Sequence, residues 1–212
     1  MQLKKVNNDE NGLFTARTSV RKYDKSVKIS RKEIADILQD AMTAPSSLNL
    51  QPWRFWVFDT PEGKELIKPF MMFNMQQWET SSAIIAIYGD MENFSYADDI
   101  YGAAVEHKLV PEEYKVKMLE MIHSYGAQYT EERLRNSILL DCGFVGMQMM
   151  LAAKGYGYDT NPIGGFMRKE LTEALGLDAK RYIPVLLLSI GKADEKGKDS
   201  IRFSADEVTQ WR

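Results

Sequence analysis

Apolar residues recur along this chain with two periods, and the change from one to the other predicts its elements. Between Ser30 and Pro45, the residues Ile34, Ile37, Leu38, Ala41 and Met42 fall three or four apart, and Ser30 with Glu33 has the form of a capping box, so a helix starts there and ends near Pro45. The run Trp53-Arg54-Phe55-Trp56-Val57-Phe58 is aromatic and β-branched and reads as a strand, after which Thr60 and Pro61 start another helix. Ala83 to Tyr88 and Ile183 to Ile190 are short unbroken apolar runs, as in buried strands. Between them the pattern is weakest, with Pro111 expected as a first helical residue and Met118, Ile122 and Tyr125 along one face. From about Glu131 to Ala153 an apolar helix carries Leu134, Ile138, Cys142, Val145 and Met149. Its Gly143 and Gly146 would admit another backbone, which suits a core or a dimer interface. A last helix near Arg168 to Leu175 precedes the final strand. The charged tail from Gly191 to Arg212 has too little apolar content for a core of its own and must dock or be disordered.

Few strands separated by helices argue for an α+β fold, and 212 residues with 44% hydrophobic content fill one domain, residues 1–212. The 27 basic and 30 acidic residues leave a net charge of −3, so no field of one sign points to nucleic acid or to an anionic membrane. The single cysteine and an N-terminus without an apolar run fit a reducing cytoplasm, and the apolar stretches fall short of the roughly twenty residues that span a bilayer. The phosphate-loop, dinucleotide, Cys-x-x-Cys, zinc-protease and serine-elbow patterns are all absent. His107 and His123 have no ligand-spaced neighbours and read as surface or packing residues. Cys142, on an apolar helix face, reads as a small hydrophobe.

Three segments concentrate hydrogen-bonding groups where the chain turns. Arg17-Thr18-Ser19-Val20-Arg21 sets two guanidinium groups four residues apart around two hydroxyls; if helical or turned, both share a face suited to a phosphate, with a solvated helix face as the plain reading. Pro45-Ser46-Ser47-Leu48-Asn49-Leu50-Gln51-Pro52-Trp53 packs four amide or hydroxyl side chains into one helix-to-strand loop, more than turn chemistry needs. Asn161-Pro162-Ile163-Gly164-Gly165-Phe166 places two glycines where a backbone could approach a flat ligand, or is simply a loop leading into the next helix.

In this order the three segments resemble the FMN-dependent nitroreductase family, whose members carry R-x-S-[VT]-[RK], A-P-S-S-x-N-x-Q-P-W and a late P-[IL]-[GE]-G turn. The likeness runs from Arg17 to Arg202. It implies a mainly antiparallel central sheet surrounded by helices, an intertwined homodimer, and FMN sites at the dimer interface. Arg17, Thr18, Ser19 and Arg21 would hold the phosphate and ribityl chain, joined by Arg202 from a tail that docks on the dimer. Pro45, Ser46, Ser47, Asn49 and Gln51 would reach the flavin bound mainly by the other subunit. Asn74 and Gln77 would meet the pyrimidine edge of the ring, where many relatives have lysine at the second position. Pro162, Ile163, Gly164 and Gly165 match the turn whose amides face flavin N5; some relatives have glutamate where Gly164 stands, so any side-chain role is lost here. The implied activity is ping-pong transfer of electrons from NADH or NADPH to a nitroaromatic, quinone or similar small acceptor, without an essential acid or base side chain. Middle-region tyrosines Tyr96, Tyr101, Tyr114 and Tyr125 are candidates for the acceptor pocket or for helix packing. The alternatives on this scaffold are a dehalogenase, a flavin-destroying enzyme or an enoate reductase, and, from another class, a flavin-binding protein with low turnover.

Overall fold

A computed structural model describes residues 3–6 and 12–212. The chain runs β1 (Leu3–Val6), α1 (Leu13–Ala16), α2 (Arg31–Ala41), β2 (Trp53–Phe58), α3 (Pro61–Ile67), α4 (Met75–Thr80), β3 (Ala83–Asp90), α5 (Ala97–Glu106), α6 (Glu112–Gly126), α7 (Glu131–Gly155), β4 (Asp159–Ile163), α8 (Arg168–Ala174), β5 (Tyr182–Gly191), β6 (Ser200–Phe203) and α9 (Ala205–Val208). Local chemistry explains the helix starts. Ser30 Oγ accepts from the Glu33 amide while the Glu33 carboxylate accepts from the Ser30 amide, which satisfies two otherwise orphaned donors at the start of α2. Thr60 caps α3 ahead of Pro61 with its Oγ1 alone, accepting from the Gly63 amide at 3.1 Å. Pro111 is not the first helical residue but the N-cap of α6: its φ of −76° would suit a helix, yet its ψ of 161° is extended.

Four strands form an antiparallel sheet in the order β2-β3-β5-β4, and β1 pairs with β6 in a separate two-stranded sheet. The inner strand β3 is buried on both faces, so its apolar run is continuous rather than alternating. Ile85 and Ile87 pack with Ile34, Ile37 and Ala41 of α2 and with Ile138, Cys142, Val145 and Met149 of α7. Ile84, Ala86 and Tyr88 meet Ile67, Met71, Phe166 and Leu171 on the other face. Each large apolar side chain buried this way stabilises the fold by about 1.5–3 kcal/mol.

The 25-residue α7 is long and apolar enough to cross a membrane by length and composition, but here it is the central core helix beneath the sheet. Gly146 admits the side chains of Leu186 and Ile87 rather than a backbone, and Gly143 faces open space. Two expectations need correction at the sheet edge. Asn161, Pro162 and Ile163, read as the start of a loop, belong to β4, and the chain from Arg17 is extended, with Ser19 bridging Thr160 and the Val20 amide donating to the Thr160 carbonyl at 3.0 Å. The tail docks on its own chain. Ala193 bridges Tyr23, the Asp194 amide donates to the Lys22 carbonyl, and a Cβ on Gly197 would collide with the Thr18 side chain.

Candidate functional site

An extended chain turns alternate residues to one side, so Arg17, Ser19 and Arg21 come together by a period of two rather than through a helix or turn, while Val20 is buried. With Thr18, these residues line a cleft of about 440 Å³ closed by the tail, which adds Lys196, Lys198 and Arg202. Five cations thus surround one opening. Two acidic side chains lie among them, and each serves the frame: Glu195 accepts from the amides of Arg21 and Lys22 at 2.7 and 3.1 Å, and Asp199 pairs with Lys5 at 2.9 Å. Arg17 Nε is buried without a hydrogen-bond partner, a deficit of about 1–3 kcal/mol that an anion in the cleft would remove. Lys196 and Lys198 escaped the sequence reading because they alternate with acids and glycine and look like a solvated run.

Gln76 of α4 also lines the cleft, and its neighbours on that helix meet the turn after β4. Asn74 Nδ2 donates to the Gly165 carbonyl at 2.9 Å and to Met71, and buried Gln77 Nε2 donates to Asn74 Oδ1 and Asn161 Oδ1 at 3.2 and 3.3 Å. These amide donors therefore build the turn. Free donors at this end are the exposed backbone amides of Gly164 and Gly165, which have no protein acceptor among the described residues. Pro162 is exposed and Ile163 buried. Arg168, which the sequence reading missed, holds the turn from below: it donates to the carbonyls of Gly164, Pro184 and Val185 at 2.7–2.9 Å and stacks on Phe166. Burial pulls its pKa below the usual arginine value.

The loop carrying Pro45, Ser46, Ser47, Asn49 and Gln51 lines none of this cleft. It leads into β2, at the opposite edge of the sheet from β4, three strand spacings or about 14 Å away. Leu48, Asn49 and Gln51 are left-handed, with φ of 54°, 54° and 46°, a conformation costly for residues with a Cβ. Three outside side chains hold it. Asp141 of α7 accepts from the Ser47 amide with both oxygens at 3.2 and 3.1 Å, Tyr101 of α5 donates to the Leu48 carbonyl at 3.1 Å, and Arg54 of β2 donates to the Gln51 carbonyl at 3.1 Å. Within the loop, Ser46 Oγ accepts from the Gln51 amide at 3.0 Å. Arg54 also lies 4.4 Å over the Tyr96 ring and 3.7 Å from Asp90, whose carboxylate is fully buried and bidentate to Arg181. Tyr96 donates to the same carboxylate at 2.6 Å.

Of the candidate tyrosines, Tyr96 and Tyr101 are thus structural supports. Tyr114 is exposed with its ring 6.5 Å from that of Tyr101, and Tyr125 is exposed. His107 and His123 are exposed, and burial pushes the Cys142 thiol up to about 12, so it stays protonated. The structure therefore gathers residues 17–21, 74–77, 161–165 and 202 along one edge and leaves 45–51 at the other.

Comparison with known proteins places the chain in a family. The profile of the nitroreductase family matches residues 14–192. The chain is 46% identical to YdgI of Bacillus subtilis (strain 168), assigned as an NAD(P)H nitroreductase, over 97% of this chain and 98% of that one. It is 37% identical to the CLA biosynthesis enone reductase of Lactiplantibacillus plantarum, over 97% of this chain and 95% of the relative. A crystal structure from Exiguobacterium sibiricum 255-15, assigned as a nitroreductase and holding FMN, superposes with a TM-score of 0.93 at 45% identity and covers 96% of this chain and 97% of that one.

Proposed function

The chain belongs to the nitroreductase family, and from that premise we propose that it is an FMN-dependent oxidoreductase working as a homodimer. The observation that carries the reading is the orphaned, buried Arg17 Nε in a cleft with four further cations, a deficit that the phosphate of FMN would fill. Arg17, Thr18, Ser19, Arg21 and Arg202 would hold the phosphate and ribityl chain. In the turn Pro162, Ile163, Gly164 and Gly165, the two glycines would present their free backbone amides to the ring, with Asn74 and Gln77 fixing that turn and bordering the pyrimidine edge. Pro45, Ser46, Ser47, Asn49 and Gln51 would close over the flavin of the partner copy, because one chain leaves them at the far edge of its own sheet. The exposed apolar face of α7 (Leu140, Phe144, Met147) and the exposed end of the tail (Val208, Trp211) are surfaces that such a partner would cover.

When bound, FMN supplies hydride acceptance from NADH or NADPH and onward transfer to a nitroaromatic, quinone or similar small acceptor, the two substrates using one pocket in turn. The protein binds, orients and excludes water, and none of its side chains is assigned an essential proton transfer. A cytoplasmic location fits the single buried cysteine. A second reading, reduction of the double bond of an α,β-unsaturated carbonyl at the same site, is favoured by the 37% likeness to an enone reductase.

The test is the visible spectrum of the purified protein, with the chromophore identified after denaturation and its stoichiometry compared with the mass in solution. The expected result is a yellow dimer with one FMN per chain that oxidises NADH or NADPH when given an acceptor. A yellow dimer with negligible turnover would make it a flavin-binding protein instead. A colourless protein that takes up no added FMN would overturn the reading.

A further inference from the structure

The proposed site includes a loop whose shape the loop itself does not favour, and the group that holds its first turn is unusual. Asp141 sits on α7 in the core, 3% exposed, and the only donor it meets among the described residues is the Ser47 amide, which both its oxygens accept. No lysine or arginine pairs with it there, whereas the other two buried carboxylates among the described residues are matched, Asp90 by Arg181 and a tyrosine hydroxyl and Asp159 by Lys154. A buried carboxylate without a cation costs stability, and a helix facing a sheet would be served better there by an apolar residue. Burial also pushes the Asp141 pKa up, the physical sign of that cost. The residues immediately after its hydrogen bond, Leu48 and Asn49, are both left-handed. A single amide fixed at the start of such a stretch sets the direction in which the following peptides turn, and strain of this kind persists only where the surroundings impose it.

We propose that Asp141 is a positioning residue: it clamps the Ser47 amide so that residues 46–49 keep the shape that receives the flavin of the partner copy. This rests on the flavoenzyme reading above and adds to it a residue far from the phosphate cleft. The role separates stability from binding. A carboxylate kept only for packing would, when replaced, lower the melting temperature and the flavin affinity together. One kept for the loop would lower flavin affinity while the melting temperature of the flavin-free dimer holds or rises, because an unpaired buried charge has gone.

The experiment uses the full-length dimer with Asp141→Asn, which keeps an acceptor oxygen for Ser47, and Asp141→Ala, which keeps none. FMN affinity is read by quenching of flavin fluorescence, thermal stability on the flavin-free proteins, and kcat separately from KM for the nicotinamide donor. Asp141→Ala is expected to weaken FMN about tenfold or more, as loss of a charge-assisted hydrogen bond implies, with Asp141→Asn recovering most of that loss. Asp141→Asn without FMN should melt no lower than the unaltered protein. FMN binding to Asp141→Ala as tight as to the unaltered protein would overturn the clamp and leave the flavoenzyme reading intact, and so would equal losses of affinity and melting temperature in both variants. Failure of the unaltered protein to bind FMN would overturn both.

Discussion

The two edges of the central sheet prepare for a ligand by opposite means. At the β4 edge the backbone is relaxed and the side chains carry the preparation: Arg17, Arg21, Lys196, Lys198 and Arg202 meet around one cleft, held by amide bonds from the extended segment and the docked tail to ordinary partners. At the β2 edge the side chains of residues 45–51 are neutral and the backbone is strained, fixed at Ser47, Leu48 and Gln51 by side chains from three other elements. The difference follows from what each edge would bind. A phosphate is recognised by charge, which tolerates small errors of position. A flat ring is recognised by shape, so the groups that meet it have to be locked in place beforehand.

If charge is the whole of the first edge, removing it should cost binding without touching the fold. Arg17→Ala with Arg21→Ala takes away two charge-assisted contacts worth about 1.5–3 kcal/mol each, so the FMN dissociation constant should rise by about 10²–10⁴ while the melting temperature of the flavin-free protein stays put. Mixing that variant with one altered in the loop, Ser46→Ala with Asn49→Ala, then sharpens the division between the edges. If the halves of a site come from different copies, heterodimers recover one native site of the two, read as half the flavin content of the unaltered dimer. No recovery on mixing would mean that one chain bends its loop across its own sheet.

The second edge depends on buried support, and its largest liability is Asp90. Its carboxylate is fully buried beneath Arg54, Tyr96 and Arg181, and Arg54 in turn holds the Gln51 carbonyl. Asp90→Asn leaves Arg54 without its anion and Arg181 with only the exposed carboxylate of Glu92, at 2.7 Å. The expected loss is about 3 kcal/mol, the lower end for a broken buried pair because Arg181 keeps 31% of its side chain exposed. Burial alone would raise the Asp90 pKa, but hydrogen bonds from Arg181 and Tyr96 bring it below the usual carboxylate value. The folded chain therefore binds this proton less readily than the unfolded one. The stabilisation is complete above the ordinary aspartate range and drains away as the pH falls through the depressed value. Urea titrations from pH 7 down to pH 3 should show the gap between Asp90→Asn and the unaltered protein closing; a gap that stays constant would mean that the network contributes nothing ionic.

Legibility in the sequence divides along the same line. The capping box at Ser30 and Glu33, the strand at Trp53–Phe58 and the doubly buried run after Ala83 were readable because local chemistry and burial agreed there. Arg17 and Arg21 could be named from residue type and spacing, but not the geometry that unites them: they share a face through an extended chain bridged to Thr160, a contact 141 residues away along the sequence. β4 was hidden because Asn161-Pro162 carries turn chemistry, which an edge strand with an exposed proline tolerates. Asp141 was hidden because one acid in a long apolar helix looks like a solvent-facing position. Only the fold shows that it points inward to a loop 94 residues earlier.

The smallest expected effect bears on whether the first edge, too, shapes the ring's environment. Gln77 is 4% exposed and neutral. A cation beside the pyrimidine edge favours the anionic reduced flavin, so Gln77→Lys should raise the midpoint potential. Taking the interaction as about 1 kcal/mol, a modest value for a charge in a partly wetted site, the shift is on the order of 20 mV for a two-electron couple. The substitution also breaks the bonds from Gln77 to Asn74 and Asn161, which could move the turn itself. Gln77→Leu breaks the same bonds without adding charge and separates the two causes. A potential that rises in Gln77→Lys, stays in Gln77→Leu, and converges as salt is added would assign the shift to charge. A potential no higher in Gln77→Lys than in the unaltered protein would mean that this edge is tuned, like the other, by the position of its backbone donors, with Gln77 acting through the Gly164–Gly165 turn.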